Sequence, residues 1–368
     1  MENLAHTLFG ITLAKAGLER ATPLATTALV ISSNLPDIDI VSRLRGGAAY
    51  YIAYHRGITH SFLGIALLAV LLTFTLVYID RRFRLRNDPF RRPVRPVRLF
   101  MISLLGGLGH LFMDWTNIYG VRPLLPFKAK WFYGDLAFIV DPWIWLILGA
   151  GVVWLTAKGG VRIAVWLTLG ALLSFLMATA LREPVAEFPY TIPDIARIVW
   201  FGGLAMILVG ALFRWGRAGE KMALYSLLLL GVYYAGLWIA RGDAIDQARA
   251  SLPVKETSPV FAWPVPANPV NWTAVTTADG MLYTRNVNLL NPQGEWTERP
   301  MLEYRFLEAL RGSERARTFL DFARYAASDV REDESGYDIT LTDIRFNLQL
   351  RARLDRDLVV QSAEIHWF

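Results

Sequence analysis

Long apolar runs separated by short basic or aromatic segments fill the first two-thirds of the chain. Residues 61–79, 99–116, 136–156 and 161–181 are each long enough to cross about 30 Å of hydrocarbon, and two further runs follow at 195–213 and 222–240. Two shorter apolar segments, 4–18 and 24–35, come first. At 1.5 Å per residue each reaches only about 20 Å, which predicts a short helical hairpin packed into the bundle. After residue 240 the pattern changes. Residues 242–251 read as a short helix, and Pro253, Pro259, Pro264, Pro266 and Pro269 mark an extended linker or edge segment. Residues 271–277 and 281–289 flank Ala278-Asp279-Gly280, a hairpin signal. Residues 302–327 have helical spacing interrupted near Gly312-Ser313, while 337–350 and 358–367 alternate like strands. The expected fold is mainly α. A multi-pass transmembrane helical bundle of six spans plus the N-terminal hairpin occupies 1–240, a Pro-rich linker 241–270, and a small water-soluble α+β domain 271–368.

Composition agrees with a membrane chain: 54% of residues are hydrophobic and 19% charged, against about 45–50% and 25% in soluble domains. The 13 Trp, 14 Tyr and 20 Phe suit interfacial anchoring, with membrane lipids as neighbours. The absence of cysteine excludes disulfides, a thiol nucleophile, a Cys zinc finger and an Fe–S cluster, so a metal site must use His, carboxylate or backbone oxygen. Glu2 stands where a signal peptide carries its basic region.

Charge sets the orientation. Residues 1–240 hold 23 basic and 13 acidic side chains, a net +10, whereas 241–368 hold 15 and 19, a net −4. Basic charge within the apolar part reads as membrane topology, and no nucleic-acid partner is expected. The segment 81–98 carries eight arginines (Arg81, Arg82, Arg84, Arg86, Arg91, Arg92, Arg95, Arg98) and is assigned to the cytoplasm. Alternation then places Lys158, Arg162, Arg214, Arg217 and Lys221 inside as well. It places 41–59, 118–135, 182–194 and the C-terminal domain outside.

Four of the five histidines, His6, His55, His60 and His110, precede residue 111. Asp37, Asp39 and Asp114 lie in or beside the same apolar segments, where each carboxylate costs roughly 2.5–3.5 kcal/mol at a helix centre. His110 and Asp114 stand at i and i+4, one turn apart on one helical face, a spacing that serves either a shared metal or a plain hydrogen bond. Pro36 disfavours helix at Leu35, so Asp37 and Asp39 fall on a turn at the membrane edge. In His55-Arg56-Gly57-Ile58-Thr59-His60-Ser61, His60 opens a span and Arg56 is suited to an anionic oxygen. The topology carries His6, Asp37/Asp39, His60 and His110/Asp114 to one membrane level. Sequence-distant ionisable groups meeting at one level point to a metal site, and their chemistry suits Zn²⁺ or a similar divalent ion, one or two in number.

His6-Thr7-Leu8-Phe9-Gly10, Leu35-Pro36-Asp37-Ile38-Asp39, His55–Ser61, His110–Asp114, Asn117-Ile118-Tyr119-Gly120 and Leu125-Pro126-Phe127 together resemble the YdjM-like family of inner-membrane, metal-dependent hydrolases over roughly residues 1–145. The later spans and tail are similar to longer members with a C-terminal extension. More distantly, the order His, Asp, His, His-x-x-x-Asp is similar to zinc-dependent phospholipase C and P1-type nucleases. That resemblance implies His6, Asp37, His60, His110 and Asp114 as metal ligands. This chain departs from those enzymes in having no histidine between His110 and His366, with Asp135 or Asp141 as stand-ins and Asp141-Pro142 equally a helix start.

The reading is a membrane-bound metal-dependent hydrolase acting on an ester or phosphoester of a lipid or lipid-linked substrate. Asp39 or His55 would serve as general base or orienting group, and Arg56 would stabilise an anionic transition state. The rival is a non-enzymatic membrane protein with a structural or sensory metal and a partner-binding outer domain. A transporter is disfavoured by the lack of an internal repeat. Residues 119–132, with Arg122, Lys128 and Lys130, suit phosphate or headgroups, or simply an interfacial loop. The C-terminal domain shows no catalytic constellation.

Overall fold

The computed structural model describes residues 1–179, 191–254, 258–291 and 294–366. Two short helices, α1 (Asn3–Lys15) and α2 (Ala25–Ser32), form the expected hairpin. A 3-10 segment (Leu35–Ser42) and α3 (Arg43–Tyr54) lead to α4 (Phe62–Ile79), which a π-turn (Asp80–Arg84) and α5 (Leu85–Asn87) prolong. Ser61 caps α4, its Oγ accepting from Gly64 N at 3.0 Å. The bundle continues with α6 (Pro96–Trp115), α7 (Pro142–Thr156), α8 (Gly160–Thr179), α9 (Asp194–Leu212) and α10 (Glu220–Arg249).

Among the described residues five helices are long and apolar enough to cross a membrane: Phe62–Asn87, Pro96–Trp115, Gly160–Thr179, Asp194–Leu212 and Glu220–Arg249. The run expected as a sixth span, 136–156, contains only the 15-residue α7. Asp141 and Pro142 start that helix late: Asp141 Oδ1 accepts from Trp143 N at 2.9 Å, and the proline ring suits the first turn. Residues 136–140 turn back to α6 instead, with Leu136 and Ala137 N donating to Thr116 O at 2.8 and 3.0 Å. Residues 180–190 lie outside the description. They hold the end of the run 161–181 and most of the loop 182–194.

The two ends of the bundle are chemically distinct. At one end the arginine-rich segment packs on the hairpin bend: Arg95 N donates to Thr22 Oγ1 at 2.8 Å and Arg98 Nη1 to Ala21 O at 3.2 Å. Arg20 pairs there with Glu220 at the start of α10. At the opposite end lie the start of α4, the end of α6, and the C-terminal domain.

That domain holds two four-stranded antiparallel sheets. The first contains β1 (Phe261–Val265), β2 (Asn268–Ala278), β3 (Met281–Asn288) and β4 (Thr297–Pro300). Helices α11 (Tyr304–Leu310) and α12 (Glu314–Phe322) follow, broken at Gly312-Ser313 as the spacing predicts. The second sheet contains β5 (Ala326–Asp333), β6 (Gly336–Asp343), β7 (Leu348–Asp355) and β8 (Val360–His366). The Ala278-Asp279-Gly280 hairpin is present, with positive φ at Asp279 and Gly280 giving the twist that two-residue turns require.

Three expectations need correction. The stretch 241–270 holds the last turns of α10, all of β1 and the start of β2, so the linker shrinks to the eleven residues between Arg249 and Phe261. Pro264 and Pro269 sit in paired strands, and a register shift between Pro264 and Val265 accommodates the missing donor. Residues 326–327, read as a helix end, begin β5. The alternating run 337–350 is two strands, because Asn347 at φ 54° turns the chain between β6 and β7.

The domain is packed onto the bundle. Ile118, Tyr119 and Phe138 share one apolar core with Trp263, Phe322 and Phe346. Arg345, fully buried, holds Asp343 with both ends of its fork and donates to Ile118 O at 3.2 Å and Phe322 O at 2.8 Å. Arg324 Nη1 meets Asp135 Oδ2 at 2.7 Å.

Candidate metal centre

Close helix approach assembles the centre. Where α6 carries Gly106 and Gly107, a Cβ would lie 2.0 Å from Ser32 Oγ and 2.7 Å from an Ile65 methyl. Only glycine lets α2 and α4 pack so near, and one turn later α6 presents His110. The α1 helix delivers His6, the 3-10 turn Asp37 and Asp39, and a 3-10 turn (Ile58–His60) delivers His60.

The structure brings these side chains together. His60 Nε2 lies 3.3 Å from Asp37 Oδ1 and 3.3 Å from Asp114 Oδ2. His110 Nε2 lies 3.1 Å from His60 Nε2, 3.4 Å from Asp114 Oδ2 and 3.6 Å from Asp37 Oδ1. Asp37, His60, His110 and Asp114 each offer a ligand atom within 4.8 Å of the others. The His6 ring stacks on His110 at 3.8 Å, its Nε2 3.4 Å from Asp114 Oδ1. Asp37, Asp39 and His55 form a second group of the same kind, with Asp37 common to both.

Surrounding bonds fix which ring nitrogens face the centre. His110 Nδ1 donates to Ser33 O at 2.8 Å, and since a carbonyl only accepts, Nε2 is left bare toward the cluster. His60 Nδ1 is held by Asp39 Oδ2 at 3.1 Å, the carboxylate–histidine arrangement that orients metal-binding imidazoles. Asp39 also accepts from His55 Nδ1 at 2.8 Å, Arg56 N at 2.9 Å and Thr59 Oγ1 at 3.0 Å. Both its oxygens are therefore taken up.

The donor set fits a cation. Both His6 nitrogens and Asp114 Oδ2 are buried without a hydrogen-bond partner, although Asp114 Oδ2 is near two imidazoles. Burial alone would lower the His60 pKa, but contacts with Asp114, Asp37 and Asp39 outweigh it and raise His60 to about 10. Burial likewise works to raise Asp37, yet hydrogen bonding to His60 and the field of His110 bring it down to about 2. Burial lowers His55 despite its bond to Asp39. The carboxylates thus outweigh burial at His60, whereas burial wins at His55.

Arg56 differs from expectation. At φ 53° it turns inward, 2% exposed, and its Nη atoms bond Asp114 Oδ1 (2.9 Å), Asn117 Oδ1 (2.9 Å), Gly120 O (3.0 Å) and Asp114 O (3.2 Å). Its guanidinium lies over the Tyr119 ring at 4.6 Å. So committed, the fork holds Asp114 and the following turn and does not face open space. Asp135 and Asp141 stay apart from the cluster: Asp135 pairs with Arg324, and Asp141 caps α7 and accepts from Tyr233 Oη at 2.8 Å. Arg122 stacks on Trp131 at 4.5 Å and donates to Ala53 O at 3.0 Å. Sequence reasoning missed Thr59, Asn117 and the Ser33 carbonyl, and also the amino group of Met1, which touches Asp114. Asn117 carries a local signal, since it stands three residues after Asp114 and opens the segment Asn117-Ile118-Tyr119-Gly120.

The YdjM inner membrane protein family model matches residues 1–185, half of the chain, and that stretch holds every residue of the cluster. The chain belongs to the YdjM inner membrane protein family. It is also 29% identical over 165 residues to YfhP of Bacillus subtilis (strain 168), an uncharacterized protein; the match covers 42% of this chain and 46% of YfhP. The chain thus spans about half the length of that relative. No solved structure matches. Family membership and the apolar helices make this a membrane protein of the inner-membrane type.

Proposed function

We propose that this YdjM family member is a metal-dependent hydrolase that cleaves an ester or phosphoester of a lipid or lipid-linked substrate. The observation that carries the reading is the convergence of His60, His110, Asp114 and Asp37, with His6 behind, around buried donors that lack protein partners. These five residues would hold one or two divalent ions, Zn²⁺ by ligand type. Such an ion polarises the scissile group and lowers the pKa of water from about 15.7 toward about 7.

The chain's own residues supply the rest. Asp39 bonds His55 Nδ1, which leaves Nε2 as the nitrogen free to take a proton from water; Asp39 orients and His55 acts as base. Arg56 balances Asp114 and fixes its direction. The cluster lies at the start of α4 and the end of α6, the membrane level at which a lipid headgroup would sit. On the arginine-loop assignment, this end and the C-terminal domain face the extracytoplasmic side.

Metal analysis of the purified chain, followed by assays on bis-p-nitrophenyl phosphate and on phospholipid vesicles, tests the reading. One or two divalent ions per chain, with hydrolysis lost on chelation and in His55→Gln while metal is retained, is the expected result. Hydrolysis that persists in chelator, or a chain without metal, refutes it. Burial favours a second reading: His6, His60, His110 and Asp114 are all 0% exposed, as in closed structural ion sites. Metal retained with no hydrolysis of any ester would support that rival.

A further inference from the structure

The first sheet of the C-terminal domain has one face of unusual chemistry. Its reverse face is ordinary: Trp272, Ala274 and Val287 pack with Ala244 and Ala248 of α10 in an apolar core. On the other face, Val275 and Leu282 join the core shared with the second sheet. Farther along the same strands the pattern turns polar. Asn271 pairs with Asn288, Thr273 with Asn286, and Thr284 with Thr297. Two packed sheets normally fill the space between them with apolar side chains. Here the sheets part, and Thr342, Ile344 and Asn347 form the opposite wall of a cleft of about 460 Å³. That lies within the roughly 300–1,000 Å³ of small-molecule sites.

Folding gains little from this arrangement. Thr273 is only 8% exposed, and both its Oγ1 and Asn271 Oδ1 are buried without a hydrogen-bond partner. Each such group costs about 1–3 kcal/mol when left unmade. Both line the cleft, so a ligand entering it would satisfy them. Among the described residues the lining contains no carboxylate, and Arg299 is its single cation, at the exposed rim. A metal ion or ammonium group would lack a counter-charge, and a phosphate would lack the basic cluster it needs. Asparagine amides each donate and accept, threonine hydroxyls do the same, and sugar hydroxyls match both. Val265, Ile344 and Pro193 supply apolar contact for the C–H faces of a ring.

We propose that this cleft binds a neutral oligosaccharide. The site uses none of the metal-cluster residues and stands whether or not the chain is a hydrolase.

The test uses the full chain in lipid nanodiscs, which avoids detergents with sugar headgroups. Chitobiose and cellobiose are titrated by calorimetry, with glycerol at matched hydroxyl concentration as control. Wild type should bind at least one disaccharide saturably and ignore glycerol. Thr273→Val, close to isosteric, and Asn286→Ala, at an exposed position, should each weaken binding about tenfold. Melting temperature should not fall, and Thr273→Val, which removes an unmade hydrogen bond, should raise it; metal content should stay at the wild-type value. Failure of both sugars to bind, a response equal to that of glycerol, or binding that survives both substitutions would overturn the proposal.

Discussion

Arg56 and Asp114, 58 residues apart in sequence, meet with Nη2 2.9 Å from Oδ1, and both are closed to solvent. The pair joins the loop before α4 to the end of α6. It directs Asp114 so that its second oxygen faces His60 and His110. Removing one partner of such a pair leaves a buried charge and typically costs about 3–5 kcal/mol.

Asp114→Asn keeps the shape but removes the charge opposite both Arg56 and any bound cation. Metal affinity should fall at least the 10–100-fold typical of losing a supporting group. Bound metal and melting temperature, measured with and without chelator, check this. Equal metal content in wild type and variant would remove Asp114 from the ligand set.

Arg56→Lys retains charge but cannot reproduce a fork that reaches Asp114, Asn117 and Gly120 together. The variant should melt lower by an amount equivalent to about 2–4 kcal/mol and bind metal more weakly. A wild-type melting curve would show that the ion pair alone, without the fork, carries the effect.

The metal-free protein should depend on pH through His60. Its folded pKa, about 10, lies above the ordinary 6.5. The stabilisation it gives is complete below about pH 6.5 and is lost as pH rises toward 10. Asp37, held at about 2, stabilises above its ordinary 3.8 and loses that contribution as pH falls through 2. Chelated wild type should therefore melt progressively lower between pH 7 and 10, and His60→Gln should flatten that slope. An unchanged slope in the variant would assign the dependence to other groups.

Arg345→Met removes the fork that ties Asp343 to the Ile118 and Phe322 carbonyls. Asp343, 0% exposed, is then left unpaired, at a cost of about 3–5 kcal/mol. Limited proteolysis should cut between the bundle and the C-terminal domain sooner than in wild type. The double variant Arg345→Met/Asp343→Leu should recover most of the loss.

Because the chain has no cysteine, single-cysteine labelling reads topology without background. Asn87→Cys, beside the arginine-rich segment, and Glu334→Cys, in the C-terminal domain, are both exposed and lie at opposite ends of the bundle. A membrane-impermeant maleimide applied to intact cells should label Glu334→Cys and spare Asn87→Cys. The reverse pattern would turn the whole protein over, metal cluster included.

Local pattern determined a good deal here. Hydropathy runs mark the five long helices because a span must be apolar along its own length, whatever it packs against. Asp279-Gly280 marks its hairpin because a two-residue turn requires positive φ at those positions. The histidines and aspartates drew attention because ionisable groups beside hydrocarbon need partners. Tertiary structure alone decided what those partners are. Arg56 turns inward to Asp114 and Asn117, and Asp39 is used up by His55, Arg56 and Thr59, because backbone direction and the close packing at Gly106 and Gly107 set each side chain's neighbours. The same holds for β5 and β7. Each is fixed by antiparallel pairing with β6, the strand between them, and that pairing is not visible in either strand's own composition.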